Sequence, residues 1–204
     1  MQHDVIPDAP PLRTRDGLQL HWVDWPVPQP VGAVLLVHGL GEHIGRYQDA
    51  AERLNSWGWS VSGYDHRGHG RSPGQRGGLV RDDDLLVDLA FAIDRVRARR
   101  RELPLVVLGH SMGGLVASCL GASLAEPPAT RPDWSRSVDG LVLSSPALDA
   151  GLNPFQKFLL KTIGSATPDL AVPNGLKLEH LCRDPEVVRA YEADPLVHGV
   201  ITGR

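Results

Sequence analysis

Apolar and polar positions along this chain follow two periods, and the switches between them mark out the elements. Gly32-Ala33-Val34-Leu35-Leu36-Val37 is a continuous apolar run of strand length, the pattern of a strand covered on both faces in a parallel sheet. From Arg46 to Trp57 the period lengthens: Tyr47, Ala50, Ala51, Leu54 and Trp57 share one face of a helix that Gly58 closes. Trp59–Tyr64, Leu105–Leu108, Leu18–Trp25 and Val138–Leu143 read as further strands. Leu85, Leu86, Leu89, Ile93 and Val96 form the inner stripe of a second helix. Asp82, Asp83 and Asp84 sit at its start and Arg97, Arg99, Arg100 and Arg101 at its end, the charge order a helix dipole favours. Small residues after Gly113 carry a third helix to Ala125. Strand and helix alternating this regularly predict an α/β fold, a mostly parallel sheet with helices on both faces.

The texture changes after Ser145, and the chain divides into a core, residues 1–147, and a helical cap or lid region, residues 148–204. Asn153-Pro154 is a helix start, with Phe155, Phe158, Leu159 and Ile163 on one face opposite Lys157 and Lys161. That stripe suits a lid that binds an acyl chain or touches a membrane interface transiently. It equally suits a helix that packs on the sheet. Pro168–Leu181 and Pro185–Tyr191 read as two more short helices among prolines.

Composition narrows the function classes. The 204 residues carry 21 Lys and Arg against 24 Asp and Glu, a net charge of −3, so bulk charge recruits neither nucleic acid nor an anionic membrane. The arginines from 97 to 101 accordingly read as a solvated helix end. No apolar run approaches the roughly 18 residues of a membrane span, and Met1–Asp8 has no apolar signal core, so the simplest compartment is the cytoplasm. Cys119 and Cys182 have no metal-type or redox-type spacing and read as buried thiols rather than a bridge.

The chemistry centres on Gly109-His110-Ser111-Met112-Gly113, a G-x-S-x-G set between a buried strand and a helix. That spacing lets the strand turn sharply into the helix and lifts the Ser111 hydroxyl above the sheet edge, with only small residues tolerated beside it. Ser111 is the candidate nucleophile. His38-Gly39-Leu40-Gly41 ends an earlier strand. Acyl transfer develops an oxyanion, and the backbone N–H groups of Leu40 and Met112 are the candidates to stabilise it, at about 3–4 kcal/mol of barrier per donor. His38 reads as a structural histidine tying two loops together.

Three blocks together are more specific than one. His38-Gly39-Leu40-Gly41-Glu42-His43, Gly63-Tyr64-Asp65-His66-Arg67-Gly68-His69-Gly70-Arg71-Ser72 and Gly109-His110-Ser111-Met112-Gly113-Gly114 resemble the signature blocks of monoacylglycerol lipases and lysophospholipases, within the serine α/β-hydrolases. Asp194-Pro195-Leu196-Val197-His198 resembles the stretch closing that family's cap. The resemblance implies the α/β-hydrolase fold with a helical cap, Ser111 as nucleophile, Leu40 and Met112 as oxyanion donors, no metal and no organic cofactor. It implies scaffold roles for His43, His66, His69 and His110. It also implies that the triad acid and histidine follow the cap, on later strands. Only His180 and His198 follow Ser111, and neither reads as such a loop residue, so the triad acid and histidine are expected to be absent from this chain. At roughly 30 residues per strand–helix unit, the two units that would carry them amount to about 60 residues.

The expected activity is therefore serine ester hydrolysis of a small acyl ester or lipid through an acyl-enzyme, impaired here by the missing base. Two alternatives remain: another esterase, thioesterase or aminopeptidase-like hydrolase of the same fold, or a non-catalytic module that holds an apolar ligand. Oligomeric state is left open.

Overall fold

Residue 35 of the chain points one way and residue 36 the other, and both are fully buried; the fold is organised around that strand. A computed structural model describes residues 9–149, 167, 169–176 and 181–203. Strand β4 (Gly32–Val37) is buried at all six positions. Ala33, Leu35 and Val37 face one side with Trp22, Tyr64, Leu89, Ile93 and Leu120, while Val34 and Leu36 face the other with Trp25, Ile44, Ala51 and Val61. Burying a leucine on each face contributes about 1.5–3 kcal/mol per side chain.

The short strands β1 (Leu12–Arg13) and β2 (Gln19–Leu20) pair with each other. The main sheet holds five strands in the order β3-β5-β4-β6-β7, with β3 at Trp22–Trp25, β5 at Trp59–Tyr64, β6 at Leu105–His110 and β7 at Gly140–Ser144. Only β3 runs antiparallel, against β5; the remaining pairs are parallel. Helix α1 (Gln48–Ser56) covers one face, and α2 (Asp84–Arg99) and α3 (Met112–Ala125) cover the other. The mostly parallel sheet with helices on both faces is as the periodicity predicts.

Three differences have local causes. The expected strand 18–25 breaks at His21, whose N–H donates to Ser72 Oγ at 2.9 Å instead of to a neighbouring strand. The expected helix from Arg46 begins as a 3-10 turn, Ile44–Tyr47, because the His43 side chain accepts the Gly45 N–H and sets a tighter start. Within the expected helix 168–181, the structure instead places a strand, β8 (Val172–Pro173), paired antiparallel with β9 (Val200–Ile201). Helix α4 (Pro185–Ala193) forms as expected, capped by Asp184 with Pro185 at its first position. The stripe Phe155, Phe158, Leu159 and Ile163 lies outside the described residues, as does His180.

The arginines at the end of α2 act on the fold. Arg99 bonds Asp24 at 2.9 Å, and Arg97 bonds Asp139 at 2.6 Å and the Leu103 carbonyl at 2.8 Å, pinning the helix end to the sheet. At its other end Asp84 accepts the backbone N–H groups of Val80 and Arg81 and pairs with Arg67, which is also bidentate to Asp88. Arg67 and Asp88 are both buried, so the pair satisfies charges that would otherwise be costly. Cys119 and Cys182 are free thiols, as expected, but both are half-buried rather than buried.

Candidate active site

The turn from β6 into α3 is where sequence chemistry and backbone geometry coincide. Ser111 adopts φ +50°, ψ −114°, a left-handed conformation a non-glycine residue holds only when its surroundings enforce it. The enforcement is visible. Ser111 N–H donates to the Ser144 carbonyl, and its carbonyl accepts from Leu115 and Ala147, each at 3.0 Å. Glycine is required on both sides: a Cβ on Gly109 would stand 2.3 Å from the Gly113 carbonyl oxygen, and one on Gly113 would stand 2.1 Å from that of Val37. Sequence reasoning missed Ser145, which takes φ +44° at the end of β7 and shapes the turn that braces Ser111. Ser144-Ser145-Pro146 gave no signal beyond a strand end.

The loop after β4 lies directly over Ser111. A Cβ on Gly39 would be 3.2 Å from Ser111 Cβ, which places Leu40, the next residue, beside the serine. Gly39 N–H is taken by Glu42 Oε1 at 2.7 Å, and the same oxygen accepts Tyr47 Oη–H at 2.7 Å. Burial and the Glu42 carboxylate push the Tyr47 phenol well above its ordinary value, so it stays a donor. Among the described residues, neither Leu40 N–H nor Met112 N–H has a hydrogen-bond partner. Met112 opens α3, where a first-turn N–H has no intrahelical acceptor. Two unused donors therefore accompany the half-buried Ser111.

Behind the loop stands a lattice of histidines. His38 Nδ1–H donates to the Gly39 carbonyl at 2.8 Å while Nε2 accepts the His66 N–H at 2.9 Å, so its two nitrogens join two loops, as the sequence reading expects. His66 Nε2 reaches the His38 carbonyl at 3.2 Å, and His69 Nδ1 the Arg67 carbonyl at 2.9 Å. Burial holds all three rings below the ordinary histidine value, His69 to about 3. They are neutral scaffold. His110 turns its Nδ1 to Ser144 Oγ at 3.1 Å, and the His198 ring lies 4.6 Å from the His69 ring. Among the described residues no side chain hydrogen-bonds to Ser111 Oγ, and no group of three or more His, Cys, Asp or Glu is placed to hold a metal ion. A cavity of about 390 Å³ opens beside Gly41, lined by Asn174, Leu176, Tyr191, Val197 and His198 among others.

A family profile described as serine aminopeptidase, S33 (Hydrolase_4) matches residues 28–204. The chain is similar to a monoacylglycerol lipase of Mycolicibacterium smegmatis, 37% identical over 185 residues that cover 89% of this chain and 62% of the relative. It is similar to the monoglyceride lipase of Mus musculus at 33% identity, covering 93% of this chain and 60% of the relative. Among solved structures, the monoacylglycerol lipase of Paleococcus ferrophilus superposes with a TM-score of 0.71 at 38% identity, over 91% of this chain and 66% of that one. The chain thus spans about three fifths of the length of the curated relatives it matches.

Proposed function

Since the chain belongs to this serine hydrolase family and has its α/β-hydrolase fold, we propose that it is a lipase-type serine ester hydrolase acting on monoacylglycerols. The observation that carries this reading is the left-handed Ser111 flanked by two unused backbone donors. Ser111 Oγ attacks the ester carbonyl, the alcohol leaves with a proton, and water hydrolyses the acyl-enzyme to a fatty acid. The N–H groups of Leu40 and Met112 hold the oxyanion as it develops. No metal or organic cofactor enters this mechanism. The similarity to two lipases named for monoacylglycerol supports that substrate over peptides or thioesters.

The finer elements belong to the same proposal. Residues 1–147 supply the catalytic core and residues 148–204 the cap, which touches the membrane interface transiently; lysophospholipids are a second substrate and the cytoplasm the compartment. Among the described residues no helix is long and apolar enough to cross a membrane. Because no described side chain hydrogen-bonds to Ser111 Oγ, acylation by this chain is slow; loss of a general base costs up to about a millionfold.

Labelling with a fluorophosphonate tests the reading. The expected result is slow, stoichiometric modification confined to the peptide containing Ser111 and abolished in Ser111→Ala. Equal labelling of the Ser111→Ala chain overturns the nucleophile assignment, and labelling complete within seconds overturns the slow acylation. Competition by a monoacylglycerol but not by an amino-acid anilide is expected; the reverse preference overturns the substrate class.

A further inference from the structure

The segment that returns from α4 toward the sheet is fastened to the Leu40 loop at three points. Tyr191, in the last turn of α4, lies under the Arg46 guanidinium, 4.5 Å from ring centroid to Cζ, and Arg46 faces Glu42 at 3.4 Å, the carboxylate that holds Gly39 N–H. Asp194 Oδ2 accepts His43 Nε2–H at 2.8 Å. His43 Nδ1 is occupied as acceptor of the Gly45 N–H at 3.2 Å, so the ring proton is committed to Asp194. Finally, His198 N–H donates to the Gly41 carbonyl at 2.9 Å. The fit is close, because a Cβ on Gly41 would stand 2.3 Å from the His198 carbonyl oxygen.

These contacts bracket Leu40 on both sides. Gly39 is fixed through Glu42, Gly41 through His198, and Glu42 and His43 through Arg46 and Asp194. Asp194 is itself preset: its Oδ1 accepts Leu196 N–H at 2.9 Å and its carbonyl accepts Val197 N–H at 3.1 Å, a local turn that aims Oδ2 outward. The side chain is 22% exposed and that of His43 is 11% exposed, so water competes weakly for the bond.

We propose that Asp194 is a positioning residue: through His43 it locks the Leu40 loop and so couples the placement of α4 to the geometry of the oxyanion donor at Ser111. This rests on the reading of Ser111 as nucleophile. Asp194 acts through His43, and its effect is on the rate at which Ser111 forms a tetrahedral adduct. Movement of α4 away from the sheet would release the same loop.

Hydrogen exchange of the chain, read by mass spectrometry, and the rate of fluorophosphonate labelling test this together. Asp194→Ala is expected to raise exchange over residues 39–45 about tenfold and to slow labelling of Ser111 by a similar factor, with exchange in α2 unchanged. Asp194→Asn, which keeps an acceptor for His43 Nε2–H, is expected to restore both. Tyr191→Leu, which removes the stack on Arg46, is expected to loosen residues 42–47 and covers the case in which Asp194→Ala does not fold. Unchanged exchange in the loop, equal behaviour of the Ala and Asn variants, or a rise spread evenly through α2 and α3 overturns the proposal. Absence of labelling in the unmodified chain overturns the nucleophile assignment instead, and the exchange data still decide the role of Asp194.

Discussion

Lowering the pH from about 7.5 to about 5.5 should destabilise the fold steeply, because the rings of His38, His66 and His69 are buried in neutral form. His38 and His66 are 0% exposed and His69 is 3% exposed. His38 cannot take a second proton without turning its Nε2 acceptor against the His66 N–H, and burial outweighs the attraction of the nearby Asp65 and Glu42 carboxylates. An unfolded chain binds these protons near the ordinary value of about 6.5, whereas the folded rings bind them only at lower pH, about 3 for His69. The unfolded state therefore holds more protons as the pH drops. The stabilisation is fully present above about 6.5 and is lost progressively below it. The His69 ring, which takes its proton only near about 3, contributes about 1.4 kcal/mol over the two pH units, and His38 and His66 act in the same direction. Against a net stability of about 5–15 kcal/mol this is measurable, and the range stays above the ordinary carboxylate values. Urea unfolding followed by tryptophan fluorescence at about pH 7.5, 6.5 and 5.5 measures it. His69→Asn retains a donor for the Arg67 carbonyl and removes one ring, and should reduce the stability change between these pH values by about 1.4 kcal/mol. A change below about 1 kcal/mol across the range, or an unaltered slope in His69→Asn, would refute the neutral lattice.

Two further outcomes follow from packing. Gly113→Ala places a Cβ 2.1 Å from the Val37 carbonyl oxygen and should cost about 3 kcal/mol or more in denaturant unfolding, or prevent folding; a loss under about 1 kcal/mol would show that the elbow can relax. Among the described residues β7 is paired on one side only, and Val142 and Leu143, which point to opposite faces, are 46% and 42% exposed. Val142→Lys should reduce self-association in light scattering at constant concentration, since charge on an open edge disfavours strand addition; equal scattering by the two proteins would argue that another surface drives association.

Much of this was legible because it is local. The run 32–37 and the segment 59–64 emerge as strands with those bounds, and α2 lies between its acidic and basic ends. The sharp turn at Ser111 was readable from its flanking glycines, whose need is steric and short-range. His38 was readable as a tie between loops. The arginines 97–101 were less so: two of them are fastened to Asp24 and Asp139, partners that no spacing along the chain identifies. The Val172–Pro173 ladder was missed because two extended residues carry no periodic signal.

The sequence by itself determined where the backbone turns and which faces are buried, since hydrophobic period and glycine sterics act between neighbours in the chain. It also marked Ser111 as the residue at the sharp turn between β6 and α3. Only the tertiary structure decided which side chains hold that arrangement: Asp194 meets His43 across 151 positions, and Ser145 bends beside Ser111 from another strand. Such pairs depend on how the sheet orders its strands and brings loop ends together, and a hydrogen bond across that distance leaves no trace in the residues on either side of it.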